Sequence, residues 1–275
     1  MKKLILFIVL CLCFTNVVYA QGGKCQYKKT DISIGMDGED LITILKSTTQ
    51  PLNGVVCDYN GNGNVSSETT YKEGKEEATI RKHYYDGKLT TENFYKNGIM
   101  ERSIIREYHP NGKLMYEIPT NKDGKKEGIE KWYFANGNLM SEIHYKNDKE
   151  NGIEKLYHGS GKLWIETPIK DDKMEGISRE YYESGKLSME TPYKNGKKEG
   201  VEKRYDESGR LREEQSFKND VAEGLTKIYL ENGRLWGQIL YRNNEPVSGT
   251  CANGRAFTNA ELANWKNGHT VSCGY

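Results

Sequence analysis

The stretch ISREYYESGKLSMETPYKNGKKEG, residues 177–200, decides the fold, because the chain contains eight variants of it. Two further clear copies stand directly before it, IEKWYFANGNLMSEIHYKNDKENG at 129–152 and IEKLYHGSGKLWIETPIKDDKMEG at 153–176. A fixed period of this length is typical of repeat proteins, in which each copy contacts only its neighbours. One glycine marks the period of 24 or 25 residues: Gly63, Gly87, Gly112, Gly137, Gly161, Gly185, Gly209 and Gly233.

Each copy carries two turn signals. The first is an Asn-Gly or Ser-Gly pair, such as Asn136–Gly137, and the second is of the Lys-Asn-Gly type, as at 194–196. Such residues accept the positive φ of tight hairpin turns. The segments between them have about six to eight residues and are rich in Tyr, Ile, Trp and Thr, as β-strands are. We therefore predict an all-β fold, an elongated antiparallel β-meander of about eight 24-residue hairpins that forms an open repeat sheet or solenoid.

The register of the hairpins follows from one copy. If Asn136–Gly137 is a two-residue loop, Tyr133 faces Met140, and Lys131 faces Glu142. Opposite charges at facing positions stabilise a strand pair by about 0.2–1 kcal/mol, and a slip of one residue would separate them. The same pair recurs in other copies: Arg106 with Glu117, Lys155 with Glu166, Arg179 with Glu190, and Lys203 with Glu214.

The glutamates of these pairs belong to a longer column with one member per copy: Glu68, Glu92, Glu117, Glu142, Glu166, Glu190 and Glu214. Catalysis by paired carboxylates and a ladder of calcium ions are two functional interpretations of such a column. A cationic partner, however, holds a carboxylate ionised and occupies its ligand positions. We therefore interpret the column as a structural ion-pair ladder, and we predict no catalytic residue, no metal site and no cofactor.

Tyrosines form another column, and the chain has 19 Tyr against 6 Phe. Because a phenol is polar at one edge, we interpret these rings as a thin core that stays partly in contact with water. The alternative is an adhesive face for sugars, peptides or lipid headgroups. Trp is enriched at binding hot spots. The three tryptophans that break the pattern by their size are therefore our candidates for exposed binding anchors: Trp132, Trp164 and Trp236.

Residues 1–20 have the pattern of a secretory signal peptide. Lys2 and Lys3 precede an apolar run, and residues 18–20 form a small-residue cleavage pattern. Export predicts a periplasmic, cell-surface or secreted protein. The formal net charge is +1, and it falls to −1 without the two lysines. Nucleic-acid binding needs a basic surface, so we predict no nucleic-acid partner. Contact with a membrane surface stays open, although nothing in the sequence supports it.

Two segments without the repeated phrase flank the array, which runs from 52 to 249. We predict that residues 21–51 and 250–275 are caps that cover the end strands. Residues 37–45 fit a short helix or a strand. In the C-terminal cap, Thr258 and Glu261 have the spacing of a capping box, which predicts a short helix at 258–266.

Four cysteines remain after the expected signal peptide, and an even number in an exported chain predicts two disulfides. Seven repeat steps of two strands each would place the ends of an open array roughly 67 Å apart. A disulfide needs Cα atoms within about 7 Å. We therefore predict that each end is tied to its own cap, by Cys25–Cys57 and Cys251–Cys273. The absence of Cys-x-x-Cys spacing argues against a metal site.

The pattern Y-x-x-N/S-G-K-L-x-x-E-x-x-Y-K-N-G-K-x-x-G, as in Tyr181–Gly200, resembles the bacterial variant of the MORN repeat, the YwqK-type toxin–antitoxin antitoxin repeat. The resemblance covers residues 52–249. It implies a β-hairpin array that serves as a scaffold or binding surface, without catalytic residues. We expect an exported bacterial scaffold that binds a protein or glycan along its sheet face. The alternative is an antitoxin or immunity protein that neutralises a cognate toxin. The oligomeric state stays open.

Overall fold

The computed structural model describes residues 25–37, 40–76, 80–96, 99–266 and 271–274. The expected signal peptide lies outside these residues. The chain divides into two compact units. The smaller comprises Met1–Leu89 with Phe94–Ile99, and the larger comprises Thr90–Asn93 with Met100–Tyr275.

The smaller unit begins with the strand Tyr27–Lys28, which lies parallel to the first strand of the array, Gly54–Tyr59. The predicted disulfide Cys25–Cys57 joins the two segments, with its Cα atoms 5.7 Å apart. The pairing covers the edge of the array strand, which would otherwise offer free backbone groups to another chain. The other elements are a 3-10 helix at Lys29–Asp31 and the strands Ile32–Asp37, Asp40–Leu45, Val65–Lys72, Lys75–Glu76, Ile80–Tyr85 and Lys88–Lys96, the last with residues of both units.

The described residues of the segment that fitted either a helix or a strand, Asp37 and Asp40–Leu45, lie in strands. Ile32–Asp37 and Asp40–Leu45 pair antiparallel, with Ile34 opposite Thr43. The interpretation of residues 37–45 as a helix is therefore wrong. β-branched residues such as Ile and Thr lose little freedom in a strand, and this preference prevails over the acidic residues that favoured a helix start.

The larger unit is the predicted meander, in which each long strand pairs antiparallel with the next. It ends in one short helix, Asn259–Lys266, close to the predicted 258–266. Its strands are Ile99–Tyr108, Leu114–Asn121, Gly128–Tyr133, Leu139–Lys146, Lys149–Glu150, Gly152–Tyr157, Leu163–Lys170, Lys173–Met174, Gly176–Tyr181, Leu187–Lys194, Lys197–Lys198, Gly200–Tyr205, Leu211–Lys218, Val221–Tyr229, Leu235–Arg242 and Glu245–Cys251.

The first turn of each of these repeats is one residue longer than predicted. The N–H of Phe134 donates to the carbonyl of Asn138, and the N–H of Gly137 donates back to the carbonyl of Phe134, both at 2.8 Å. Gly137 has a φ of 92°. These bonds define a three-residue loop, a type I turn closed by a glycine in a bulge. The predicted two-residue loop is wrong, because Asn-Gly fits both kinds of turn.

A compensating bulge explains why the predicted charge pairs nevertheless face each other. Tyr133 faces Leu139 rather than Met140, as the longer loop requires. The register then shifts by one residue between Trp132 and Tyr133, and Lys131 faces Glu142 as predicted. The same shift occurs next to the equivalent tyrosine of the other repeats.

The second turn is a two-residue loop, and successive copies of it are bonded together. Both loop residues of Asn219–Asp220 have positive φ, 51° and 69°, as a type I′ turn demands. The N–H of Lys198, one repeat earlier, donates to Oδ1 of Asp220 at 2.7 Å, and the N–H of Asp220 donates to the carbonyl of Lys198 at 3.1 Å. Equivalent bonds join other neighbouring copies, and we call this column the turn stack.

A glycine begins the first long strand of four repeats, at Gly128, Gly152, Gly176 and Gly200, and Gly200 shows why. Its φ is 117°, which side chains rarely adopt, and a Cβ there would lie 3.1 Å from Cγ of Pro192. The glycine lets the new strand cross close to the preceding one.

The C-terminal cap and the last repeat share an apolar core. Ile239, Phe257 and Val271 are buried around the predicted disulfide Cys251–Cys273, whose Cα atoms are 5.6 Å apart. Partly buried side chains pack against this cluster, among them Leu262 and Trp265 of the helix. Thr258 and Glu261 form the expected capping box, since each side chain accepts the backbone N–H of the other residue, at 3.2 and 2.8 Å.

Candidate functional site

One face of the larger unit carries an alternating row of charges. Facing residues of paired strands lie on the same side of a sheet, and the register places Lys131 between Glu117 and Glu142. We call this row the ladder and this side the ladder face. From strand to strand the ladder contains Glu92, Arg106, Glu117, Lys131, Glu142, Lys155, Glu166, Arg179, Glu190, Lys203, Glu214 and Lys227.

The ladder differs from isolated pairs because a cation can bridge two glutamates. Arg179 lies 3.1 Å from Glu190, its partner within the hairpin, and 3.6 Å from Glu166 of the preceding hairpin. Arg106 bridges Glu92 and Glu117 in the same way, at 2.6 and 3.5 Å. The charges therefore link repeats as well as strands.

Tyrosines complete the ladder by donating hydrogen bonds to it. The phenol of Tyr157 donates to Glu142 at 3.0 Å, and that of Tyr229 donates to Glu214 at 2.8 Å. Burial, together with the hydrogen bond to the carboxylate, raises the pKa of each phenol to about 12. Sequence reasoning missed these bonds, although a constant separation of 15 residues between glutamate and tyrosine was available as a signal.

Two ladder lysines stand apart from this network. Within the part of the chain that the structure describes, the side chains of Lys155 and Lys203 form no hydrogen bond or ion pair, although each lies between two ladder glutamates. The glutamates beside Lys203 are already engaged. Glu190 accepts from Arg179 and Tyr205, and Glu214 is paired with Lys227 and Tyr229. Both ammonium groups can therefore accept an anionic partner from outside.

A row of exposed aliphatic side chains runs beside the ladder. In each of five successive repeats one such residue stands two positions before the ladder cation, and strand alternation puts it on the same face. Their exposed fractions lie between 38% and 44%: Ile129, Ile153, Ile177, Val201 and Leu225. We call them the aliphatic row. A groove of about 610 Å³ follows this row and is lined by Ile177, Val201 and Leu225 together with Pro192 and Lys203.

The opposite face buries polar groups instead. Glu202 is 1% exposed and accepts from Lys198 at 2.6 Å and from Arg204 at 2.8 Å. Burial opposes ionisation, but the bonds from these two cations prevail and hold the pKa of Glu202 below its usual value. Thr191 also donates to Glu202, at 3.2 Å. This cluster is fully engaged internally and has a structural role.

The three candidate tryptophans lie in different surroundings. Trp236 stacks on Trp265 with ring centroids 5.8 Å apart, and it packs against the C-terminal core. Trp132 is half-buried, and its indole donates to Glu130 at 2.6 Å. Trp164 is 44% exposed and is the one of the three with a large open surface. The structure does not bring them together into one site.

One cluster in the described residues has the spacing of metal ligands, namely Cys25, Cys57 and Glu68. Its two sulfur atoms are joined in a disulfide. Neither sulfur is a thiolate, which is the form of cysteine that binds a metal.

The two disulfides indicate folding in an oxidising compartment, which agrees with export. No helix in the described ranges is both long and apolar enough to cross a membrane.

Solved structures give weak similarities. A crystal structure of TcdB2-TccC3 matches with a TM-score of 0.24 and 10% identity, over 80% of this chain and 15% of the other. The crystal structure of TcdB2-TccC3-Cdc42 matches with a TM-score of 0.20 and 11% identity over the same shares. At these scores the similarity carries no argument about fold or function. Comparison with curated proteins gives no match.

The model of the MORN repeat variant family matches seven segments, at 52–73, 104–122, 126–147, 150–171, 174–195, 198–219 and 222–243. The copy around Gly87 is not matched. Its first turn departs from the others, since Asp86 and Gly87 both have positive φ, as in a two-residue loop. The matched segments cover more than half of the sequence, and the chain belongs to the MORN repeat variant family.

Proposed function

We propose that this protein is a non-enzymatic scaffold that binds a protein partner along the ladder face of the larger unit. The aliphatic row carries the proposal, because five aliphatic side chains remain about two-fifths exposed in a line. Exposed apolar rows with polar flanks mark interaction surfaces. Aliphatic groups complement the apolar side chains of a protein and offer no hydrogen bonds to a sugar, so a protein is favoured over a glycan.

The ladder suits a scaffold better than an active site. Four of its glutamates are each held by a ladder cation and by the phenol of a tyrosine, namely Glu142, Glu166, Glu190 and Glu214. Acid–base catalysis needs groups whose environments differ. We place the scaffold outside the cytoplasm of a bacterium, on the basis of its two disulfides and the expected signal peptide.

A random-peptide display library tests the proposal, with the folded mature chain as target. The variant Ile177→Asp/Val201→Asp puts two charges into the groove. The control is Ile105→Asp, since Ile105 is 41% exposed on the opposite face. We expect enriched peptides that lose binding to the double variant and keep it with the control. Enrichment that ignores the double variant, or no enrichment, would contradict the proposal.

A cognate toxin is one protein that could occupy the same face, which is how the antitoxin or immunity role would be realised. That role predicts a neighbouring toxin gene and growth arrest when this gene alone is deleted. Normal growth of the deletion strain would contradict the antitoxin role and would be consistent with the scaffold role.

A further inference from the structure

We infer that the ladder face takes an extended peptide in the polyproline II conformation, with three peptide residues per repeat and carboxylates six residues apart. The inference rests on the proposed function, because it names the kind of segment that fills the groove beside the aliphatic row.

The spacing of the repeats is the first observation. Each repeat contributes two adjacent long strands, as Gly176–Tyr181 and Leu187–Lys194 do. Neighbouring strands lie about 4.8 Å apart, so members of the aliphatic row recur at about 9.6 Å. A polyproline II helix has three residues per turn and rises about 3.1 Å per residue, which gives about 9.3 Å per turn. Every third residue of such a peptide would therefore meet the next member of the row.

Other peptide conformations match this spacing less well. Side chains on one face of a β-strand recur at about 6.7 Å, so they fall out of step after one repeat. On an α-helix, residues seven apart recur at about 10.5 Å, and the mismatch of about 0.9 Å per repeat grows along the row. The mismatch for polyproline II is about 0.3 Å per repeat. Its backbone also loses little conformational freedom on binding, because the conformation is already populated in the free peptide.

The charges of the face set the position of the acidic residues. Lys155 and Lys203 form no ion pair in the described structure, whereas Arg179 between them is bonded to two glutamates. The two lysines lie two repeats apart, or about 19 Å. Six residues of polyproline II span about 18.6 Å. A peptide with carboxylates six residues apart can therefore reach both ammonium groups.

The side chains around the groove suit a proline-rich ligand. Strand alternation places Ile177, Arg179 and Tyr181 on one face, so the ladder has the aliphatic row on one side and tyrosines on the other. Pro168 and Pro192 face Ile153 and Ile177 across their hairpins and add rigid apolar surface. Aromatic and apolar grooves of this kind bind proline-rich segments elsewhere.

The test uses a fluorescent peptide made of two copies of Leu-Pro-Glu-Leu-Pro-Pro, titrated with the mature chain and followed by anisotropy. Its leucines recur every third residue and its two glutamates are six apart. We expect saturable binding that weakens when Gln replaces both glutamates. A peptide of the same composition with adjacent leucines should bind at least about tenfold more weakly. At least one leucine then meets no member of the aliphatic row.

Variants of the protein assign the contacts. Val201→Asp should weaken binding about tenfold or more, because it puts a charge where leucine docks. Lys203→Gln should weaken it about two- to fivefold, the range of a half-exposed ion pair. Lys186→Gln removes the same charge from an exposed hairpin turn and should change nothing. Circular dichroism of each variant should match the parent, which separates loss of binding from loss of fold.

Two results would overturn the inference. One is that the designed peptide does not bind, or that it binds the Val201→Asp variant as well as the parent. The other is equal binding of the designed and rearranged peptides. If library peptides still bound the face in another conformation, the proposed function would stand and this inference alone would fail. If no library peptide depended on the groove, both would fail.

Discussion

The middle repeats and the C-terminal cap are held together in opposite ways. Where the cap packs on the last repeat, Ile239, Phe257 and Val271 are buried around a disulfide. In the middle repeats the buried positions are mostly polar, such as Thr167, Thr191 and Glu202. An array whose repeats bond to their neighbours through registered polar groups needs only a thin core, whereas its last repeat has no neighbour and needs an apolar cover. Four variants test this difference, each beside its own control.

The largest effect should come from the cap. Replacing Cys251 and Cys273 by Ser opens a cross-link of 22 residues in sequence. We expect the free energy of unfolding to fall by about 3 kcal/mol, measured by urea denaturation followed by tryptophan fluorescence. The parent protein under reducing conditions, with Cys25–Cys57 replaced by Ser beforehand, should lose a similar amount. An unchanged midpoint in the double variant would show that the apolar core holds the cap without the bond.

A smaller loss should follow from a buried charge of the middle repeats. Glu202→Gln leaves Lys198 and Arg204 without their anion. We expect the free energy of unfolding, measured by denaturant titration, to fall by about 2 kcal/mol. The matched control is Glu207→Gln in an exposed turn, which should cost nothing.

The same residue gives a pH dependence with a definite sign. The pKa of Glu202 is lowered in the fold, so its contribution is present above the ordinary carboxyl pKa and is lost as the pH falls through the folded value. The difference in stability between parent and Glu202→Gln should therefore shrink in acid. A difference that stayed constant down to low pH would contradict a charged Glu202.

At one glycine of each middle repeat, a change that strains the backbone should lower the free energy of unfolding by about 1–2 kcal/mol. Gly200→Ala forces a side chain onto a φ of 117° and to 3.1 Å from Pro192. Gly159→Ala is the control, since a Cβ there meets nothing within 4 Å and its φ is not positive. Equal thermal midpoints for the two variants would show that the crossing of strands at Gly200 is not constrained.

The smallest effect should separate two cations of the ladder. Arg179→Gln removes two ion pairs and should lower the free energy of unfolding by about 0.5–1 kcal/mol. High salt should reduce this difference. Lys155→Gln removes a ladder charge that makes no ion pair in the described structure, and it should cost nothing measurable. Equal losses would mean that the ladder acts through its overall charge pattern rather than through contacts.

The fold was largely readable from the sequence, because period, turn residues and charge pairs all point to one register. The length of the first turn could not be predicted from the sequence, since an Asn-Gly pair fits a two-residue loop and a three-residue loop alike. The pairing of Lys131 with Glu142 was predicted correctly from a wrong loop, because the bulge beside Tyr133 restores the register that the longer loop had shifted.

The different surroundings of the three tryptophans were not predicted, because these residues were chosen by size rather than by face. Trp236 belongs to the C-terminal core, which depends on contacts with a segment outside the repeats. The aliphatic row was missed because only aromatic residues were considered as binding anchors. Their position two residues before Arg179 and its equivalents puts them on the charged face, and strand alternation alone would have shown this.

The turn stack has a mechanical consequence. Asp220 bonds to Lys198 of the neighbouring repeat, and each copy is joined to the array only through its two neighbours. Under a stretching force the larger unit should yield by peeling from an end, one repeat after another. Each event would release about 24 residues, or roughly 80 Å of chain at about 3.4 Å per residue. The array would thus lengthen in fixed steps under load, and this would limit the force that it passes to its partner.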